Sequence, residues 1–196
     1  MRREELSELH YIAHRDNVQS VLRRGILSNR RASSVGHTSV AMQEVQDRRA
    51  QVVVPGGRKL HEYANLYVCA RNPMLYKRQG QHLELCVLQV STDVLDLPGV
   101  VITDANASSN YVRFAAAPEG LSIVDREATF AEYWTDQDQI VEWRKKSAKC
   151  AEVLVPKRVE PRFIGGAYVS CLEAMTWFAG FNTGLAVSIN AHLFFR

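Results

Sequence analysis

The sequence predicts a mixed α+β fold. Short apolar runs rich in β-branched and aromatic residues recur along the chain, helical patterns are few, and the two do not alternate as regular βαβ units. A chain of 196 residues is long enough to bury one core without disulfides. We therefore expect residues 1–196 to form a single domain.

The chain begins with a strand, a helix and a second strand. Leu9–Ala13 is an apolar run typical of a strand. Asp16 or Asn17 can cap a helix in which Val18, Val21 and Leu22 recur at helical spacing, and Gly25 then ends it. Extended structure resumes at Ile26–Leu27, but the sequence has no G-x-G-x-x-G motif, which argues against a Rossmann unit.

Further elements follow from apolar periodicity and turn residues. Strands are expected within Leu60–Ala70, Leu83–Val90, Gly99–Thr103, Val153–Val155, Ile164–Val169 and Leu185–Ile189. Helices are expected within Val40–Ala50, Arg126–Trp134 and Ile140–Ala151. The polar stretches between them predict loops at Arg30–Thr38, Pro55–Gly57 and Asp104–Asn110.

Charge and cysteine content exclude several classes of protein. The net charge is only +3, so composition alone does not indicate a nucleic-acid binder, although basic residues cluster and could line one cleft. Solvated faces are the alternative for those clusters. The four cysteines show no C-x-x-C spacing, which argues against a zinc site or a secreted disulfide scaffold. With neither a signal peptide nor a bilayer-length apolar run, we expect a cytoplasmic protein with no membrane association.

Familiar catalytic motifs are absent, which leaves single polar residues at strand ends. There is no H-E-x-x-H, no serine nucleophile elbow and no P-loop. The candidates that remain are His14, Arg49, His61, Arg71 and Glu152. Glu152 directly precedes the apolar run Val153–Val155, and a buried carboxylate is costly unless it is paired or faces a cleft. An exposed glutamate on an edge strand is the alternative.

Four segments, taken together, resemble one family. They are Tyr11–Val18 with Arg24–Leu27; Gln46–Arg49 before a Pro-Gly-Gly turn; Leu60–Tyr76; and Asp104–Ser108 with Arg113–Phe114 and Ala151–Val155. In this order they resemble the DarT family of DNA ADP-ribosyltransferase toxins. The family often has His and Thr where this chain has Tyr11 and Ala13, and the segment between Tyr76 and Leu83 looks short.

The resemblance implies an ADP-ribosyltransferase fold, with a split, twisted and mainly antiparallel β core that holds NAD in a cleft. Glu152 and Arg49 match the family's catalytic glutamate and arginine. The residues implied in NAD binding are Tyr11, Ile12, Ala13, His14, Asn17, Ser20, Gly25, Leu27, Ser28, Arg49, Tyr67 and Arg71.

The resemblance places Met74 in the pocket motif and makes the segment between Asp104 and Glu152 the loop that presents the nucleic acid. In that segment, Arg113 and Tyr111 offer a cation and a stacking ring, and Lys145 and Lys146 are cations suited to phosphates. The expected nucleic-acid contacts are Met74, Asn106, Tyr111, Arg113, Lys145 and Lys146, and packing of Tyr111 and Phe114 against the core is the alternative for those two rings.

The resemblance also implies an activity and its partners. The expected reaction moves ADP-ribose from NAD to thymine or guanine in single-stranded DNA and releases nicotinamide, without a metal. We expect a monomer that is restrained by a DarG-like antitoxin with ADP-ribosyl-hydrolase activity. RNA or protein acceptors, or an inactive module that binds NAD or nucleic acid, are the alternatives.

Overall fold

One large sheet organises the molecule. In the computed structural model, which describes residues 1–181 and 183–196, eight strands pair in the order β10–β9–β4–β1–β3–β7–β5–β6, and β2 and β8 form a separate pair. The strands are β1 (Leu9–His14), β2 (Ile26–Leu27), β3 (Tyr63–Tyr67), β4 (Leu85–Val90), β5 (Val101–Thr103), β6 (Phe114–Ala116), β7 (Glu152–Pro156), β8 (Arg158–Val159), β9 (Ile164–Val169) and β10 (Ala186–Ile189). Neighbouring strands run antiparallel except β9 and β10, which are parallel.

Seven α-helices flank the sheet in the described part of the chain. They are α1 (Val18–Arg24), α2 (Asn29–Ala32), α3 (Gln43–Gln51), α4 (Pro73–Lys77), α5 (Arg126–Phe130), α6 (Gln139–Ala148) and α7 (Leu172–Ala179). The longest of them spans ten residues, and none is long and apolar enough to cross a membrane.

The two faces of the sheet bury different cores. Paired residues of antiparallel strands point to the same face, so Leu66 and Val153 share one face with Leu88 of β4. This face carries the main core, onto which α1 packs Val18 and Val21 and α7 packs Phe178. The opposite face is covered by two smaller clusters, one under α4 and the C-terminal residues and one under the loops beside β5 and β6.

The sheet is split at its centre. Among the described residues, β1 and β3 share a single register pair, His10 opposite Tyr67, whereas the next contact outward, β1 with β4, is paired over six residues. Beyond His10 the two strands separate, which opens a cleft between two half-sheets. The expected split, mainly antiparallel core is therefore confirmed.

Several elements differ from the sequence-based expectation. The helix Asn29–Ala32 overlaps the start of the expected loop, Arg30–Thr38. The expected helix over Arg126–Trp134 ends at Phe130, because Trp134 instead packs against Tyr76 and Phe195. The apolar periodicity of the sequence did not predict the helices Pro73–Lys77 (α4) and Leu172–Ala179 (α7).

The start of α1 also departs from expectation, since the Asn17 side chain does not cap the helix. Its Nδ2 atom donates to the Thr38 carbonyl at 2.7 Å, and its Oδ1 atom accepts from the Thr38 amide at 2.9 Å. Asn17 thereby holds the long connection between α2 and α3 against the end of β1.

Gly25 is required for the junction between α1 and β8. Its φ is +86°, and a Cβ atom at this position would lie 2.0 Å from the Val159 carbonyl oxygen. An alanine at residue 25 would have to adopt a positive φ, which is strained for a residue with a side chain. Its Cβ atom would also clash with the Val159 carbonyl oxygen.

We expect Gly25→Ala to lower the free energy of unfolding by about 2–4 kcal/mol, because backbone strain and a steric clash act together. Urea denaturation followed by circular dichroism measures this change. Gly165→Ala is the matched control, since Gly165 lies in open space on β9 with no positive φ, and it should change stability by less than about 0.5 kcal/mol. Equal stability of the two variants would contradict the structural role of Gly25.

Candidate active site

The sheet register places Glu152 at the wall of the cleft. Glu152 is the first residue of β7, and it lies opposite Tyr67 of β3 and Thr103 of β5. All three residues therefore point to the face on which the cleft opens. Glu152 is completely buried, so the alternative of a solvent-exposed edge glutamate is wrong.

A buried ion pair neutralises this carboxylate. Arg49, in the last turn of α3, donates from Nη1 to Oε1 of Glu152 at 2.9 Å and to Oε2 at 3.0 Å. The Arg49 side chain is only 7% exposed. Arg49 is the one buried residue of α3, so this polar helix packs against the site through a charged side chain and not through an apolar face. Arg49 also lines the neighbouring cavity, whereas Glu152 does not.

The loop after β5 completes the environment of the carboxylate. The Ala107 amide donates to Oε1 of Glu152 at 3.0 Å, and the Thr103 hydroxyl accepts from the Glu152 amide at 3.1 Å. The loop is itself tied to α6, because the Asn106 amide donates to the Ser147 carbonyl at 3.1 Å. The loop is thus a structural part of the site as well as a surface segment.

The ion pair changes the proton affinities of its neighbours. Burial alone would lower the pKa of Arg49, but the Glu152 carboxylate more than compensates and raises it. Burial and the nearby Glu152 charge raise the pKa of Tyr67 well above its ordinary value. The pKa of His61 is lowered by burial and by the Arg49 cation. Tyr67 and His61 are therefore neutral at physiological pH, and the charge at the site is that of the Arg49–Glu152 pair.

A cavity of about 270 Å³ opens in front of this pair. Both halves of the split sheet contribute, β1 through Tyr11–Ala13 and β3 through Asn65 and Tyr67. The opposite wall is the connection held by Asn17, at residues 37–42, together with Arg49 of α3. Burial raises the pKa of Tyr11 to about 12 and that of Cys150 to about 12, so both are neutral hydrogen-bonding groups on the wall.

The structure brings together about half of the residues expected from the sequence. Those that line the cavity are Tyr11, Ile12, Ala13, Asn17, Leu27, Arg49, Tyr67, Met74 and Asn106. Glu152 lies directly behind Arg49. Residues implied in NAD binding and residues implied in nucleic-acid binding thus share one cavity.

Other residues expected to bind NAD lie outside the cavity lining. His14 accepts from the Asp16 amide at 3.3 Å, and Ser20 lies on α1. Gly25 and Ser28 shape the backbone, since Gly25 ends α1 and the buried Ser28 precedes α2. Arg71 lies 4.0 Å over the Phe195 ring and donates to the His192 carbonyl.

Three of the six residues expected to bind nucleic acid pair with acidic side chains of the protein. Arg113 Nε donates to Asp104 at 2.6 Å, Lys145 donates to Asp136 at 2.7 Å, and Lys146 pairs with Glu142. Tyr111 differs from them, since it is 93% exposed.

Sequence reasoning missed several residues of the cavity wall. Asn65 could have been found, because it lies two residues before Tyr67 on the same strand and therefore on the same face. Residues 37–42 carried no such signal, since their position depends on the long-range contact between Asn17 and Thr38. Lys77, at the end of α4, was not predicted either. In the described ranges, no cluster of His, Cys, Asp and Glu could hold a metal ion.

The split sheet, the cleft between its halves and a glutamate on the central strand β7 define an ADP-ribosyltransferase fold. The particular family follows from the sequence as a whole. The family model described as "ssDNA thymidine ADP-ribosyltransferase, DarT" matches residues 10–194, and the chain belongs to this family.

Known relatives agree in sequence and in structure. A DNA ADP-ribosyl transferase–DNA ADP-ribosyl glycohydrolase fusion protein of Thermosipho africanus is 35% identical over 172 residues, which cover 83% of this chain and 42% of the fusion protein. The structure of Thermus sp. 2.9 DarT in complex with ADP-ribosylated ssDNA superimposes with a TM-score of 0.81 at 26% identity and 98% coverage of both chains. The complex of Thermus sp. 2.9 DarT with NAD⁺ gives a TM-score of 0.77 at the same identity, with 96% of this chain and 98% of that chain covered.

Glu152→Gln should lower the free energy of unfolding by about 3 kcal/mol, because it leaves the Arg49 cation buried without its counter-charge. The double variant Arg49→Met/Glu152→Leu removes both charges, so it should be at least as stable as Glu152→Gln. Urea unfolding of the wild type and both variants gives the comparison. A Glu152→Gln variant as stable as the wild type would show that the pair is energetically neutral.

Proposed function

We propose that this chain transfers ADP-ribose from NAD to a thymidine base in single-stranded DNA and releases nicotinamide. One observation carries the proposal: the Arg49–Glu152 pair lies at the cavity where the sheet splits, within a fold shared with a DarT bound to ADP-ribosylated ssDNA. The chain matches less than half of the Thermosipho fusion protein, so the proposal concerns the transferase step alone. We treat residues 1–196 as one domain in this reaction.

NAD is proposed to enter between the two half-sheets. Tyr11–Ala13 and Asn65 would border the nicotinamide ribose, and Asn17 and Leu27 would lie along the same wall. The cavity volume of about 270 Å³ is just below the range of about 300–1,000 Å³ typical of small-molecule sites. In the proposed binding mode the wall opens at Arg49, because movement of this residue would both enlarge the cavity and expose Glu152.

In the proposed mechanism Arg49 exchanges partners. Its guanidinium would leave Glu152 and bind the pyrophosphate of NAD through its fork of donors. The exchange keeps Arg49 paired with an anion and frees the carboxylate. Arg49 cannot serve as a base, because a guanidinium does not lose its proton at neutral pH. Its raised pKa strengthens that conclusion.

Glu152 would stabilise the transition state electrostatically. The N-glycosidic bond breaks with its electron pair on nicotinamide, which leaves as a neutral molecule, and the ribose becomes oxocarbenium-like. A carboxylate close to the ribose 2′-hydroxyl stabilises this developing positive charge, as in glycosidases. A thymine nitrogen then bonds to the anomeric carbon and loses its proton to Glu152 or to water. The base has to be unpaired, because ring atoms are inaccessible within a duplex.

The proposed setting follows from the substrates and relatives. DNA and NAD meet in the cytoplasm, where we place the enzyme as a monomer. The Thermosipho relative combines a transferase with an ADP-ribosyl glycohydrolase in one chain. For this chain we propose an antitoxin that carries the DarG-like hydrolase activity.

One observation favours a second function. Glu152 has no exposed surface in this structure, as expected of an inactive module that binds NAD or nucleic acid. Turnover separates the two functions, because an inactive module consumes no NAD under any condition.

Labelled NAD incubated separately with single-stranded DNA, duplex DNA, RNA and a protein extract should label single-stranded DNA alone, and mass spectrometry should place the ADP-ribose on thymidine. Label on guanine, RNA or protein would replace the proposed acceptor, and no NAD consumption would establish the inactive module.

Glu152→Gln should lower the transfer rate by about two to three orders of magnitude, because it removes one electrostatic stabiliser of the transition state. Arg49→Lys should raise the KM for NAD, since lysine keeps the charge but loses the bidentate fork. Circular dichroism confirms that each variant is folded. Arg23→Ala is the control, as Arg23 is exposed on α1 and outside the cavity lining. An active Glu152→Gln variant would contradict the proposed mechanism.

A further inference from the structure

A basic and aromatic surface adjoins the rim of the cavity. Its aromatic centre is Tyr76, Trp134 and Phe195, and its cations are Arg71, Lys77 and Arg196. We call this group the basic aromatic patch. Among these residues only Arg71 was implied in the site by the sequence, and Lys77 is the only one that lines the cavity.

The three rings form a rigid base that presents one of them to solvent. Tyr76 lies 5.0 Å from Phe195 and 5.6 Å from Trp134 between ring centroids, and both contacts are edge-to-face. Trp134 and Phe195 are themselves 5.8 Å apart in the same geometry. Tyr76 remains 45% exposed, although a ring of this size is normally buried when it can be. The packing thus fixes the orientation of an exposed aromatic ring.

The cations of the patch are not neutralised by the protein. Arg71 stacks on Phe195 and donates to a backbone carbonyl, and Arg196 donates to the Gln79 carbonyl at 2.8 Å. Lys77 is exposed. Within residues 1–181 and 183–196, no carboxylate lies within ion-pair distance of any of these three side chains. Glu132 lies near this group, but its carboxylate is 3.7 Å from the imidazole of His192, the residue whose carbonyl accepts from Arg71.

The patch is continuous with the cavity through α4. Pro73, Met74 and Lys77 line the cavity, whereas Tyr76 on the same short helix packs against Trp134 and Phe195. A strand with one nucleotide in the cavity would therefore meet the patch as soon as it leaves the rim on the α4 side.

This combination matches single-stranded nucleic acid. Proteins bind such strands by stacking bases on exposed aromatic rings and by placing unpaired cations along the phosphates. The contrast with α6 supports this assignment, because Lys145 and Lys146 are already paired with acidic side chains. We propose that the basic aromatic patch binds the single-stranded DNA that flanks the nucleotide in the cavity, with a base on Tyr76 and phosphates on Lys77 and Arg196. This inference rests on the proposed function for the identity of the strand.

The decisive experiment compares two fluorescently labelled DNA ligands of different length by anisotropy, without NAD. The short ligand is a single nucleotide, which can occupy the cavity without reaching the patch, and the long strand has about 15 nucleotides, within the about 4–16 nucleotides of a typical single-strand site. Tyr76→Ala should weaken binding of the long strand about tenfold, because one stacked base is lost, and should leave binding of the single nucleotide unaffected. Arg196→Ala should reduce the slope of log K against log salt by about 0.7 on the long strand, as expected for one lost phosphate contact.

Two further variants guard against misfolding and non-specific charge effects. Tyr76→Phe keeps the ring and its packing, so it should bind the long strand as the wild type does, even where Tyr76→Ala fails to fold. Arg23→Ala removes an exposed cation from α1, a helix that packs on the opposite face of the sheet, and should leave the salt slope unchanged.

The outcomes separate this inference from the proposed function. If Arg196→Ala and Tyr76→Ala bind the long strand with wild-type affinity, the proposal that the patch binds DNA is wrong, whether or not the protein modifies DNA. Equal losses on both ligands would overturn it as well, because the effect would then lie in the cavity. Weaker binding of an antitoxin with unchanged DNA binding would make the surface a protein interface. Length-dependent losses in a protein that modifies no DNA would support the patch and refute the proposed activity.

Discussion

The ion pair between Arg49 and Glu152 is the interaction on which the architecture of the site depends. A carboxylate with no exposed surface is costly without a counter-charge, and the polar helix α3 supplies one through Arg49. The loop after β5 must fold back to bring the Ala107 amide to the same carboxylate. The loop after β5 and helix α3 thus both contact the same Glu152 side chain.

The same arrangement keeps the Glu152 carboxylate buried and hydrogen-bonded. Glu152 is held by donors from two different segments, and Tyr67 and His61 beside the pair are neutral. The charged groups at the site are therefore the Arg49 guanidinium and the Glu152 carboxylate, which are paired with each other. In the proposed mechanism, the pyrophosphate of NAD would compete for the guanidinium and replace Glu152 as the partner of Arg49. Exposure of the carboxylate would then be coupled to the presence of substrate.

Local sequence patterns predicted much of the sheet and little of the site. Strands such as Ile164–Val169 follow from runs of apolar residues and were found to within a residue or two, because strand formation depends on nearby side chains. Glu152 could not be recognised locally, since its burial depends on Arg49, which lies 103 residues earlier in the chain. The resemblance of the whole sequence to one family supplied what local patterns could not. Even so, it did not reveal that residues 37–42 form a cavity wall, because that wall is positioned by the Asn17–Thr38 contacts.

The single register pair between β1 and β3 has a mechanical consequence. Among the described residues, His10 and Tyr67 are the one register pair that joins the two strands, so a rotation about this pair would move the rest of β1 relative to β3. The distance from His10 to His14 is roughly 13 Å, so a rotation of about 5° would move His14 by about 1 Å. Such a rotation leaves the register of β1 with β4, and of β3 with β7, intact within each half. The aperture of the cleft can therefore change without breaking the hydrogen-bond ladders on either side.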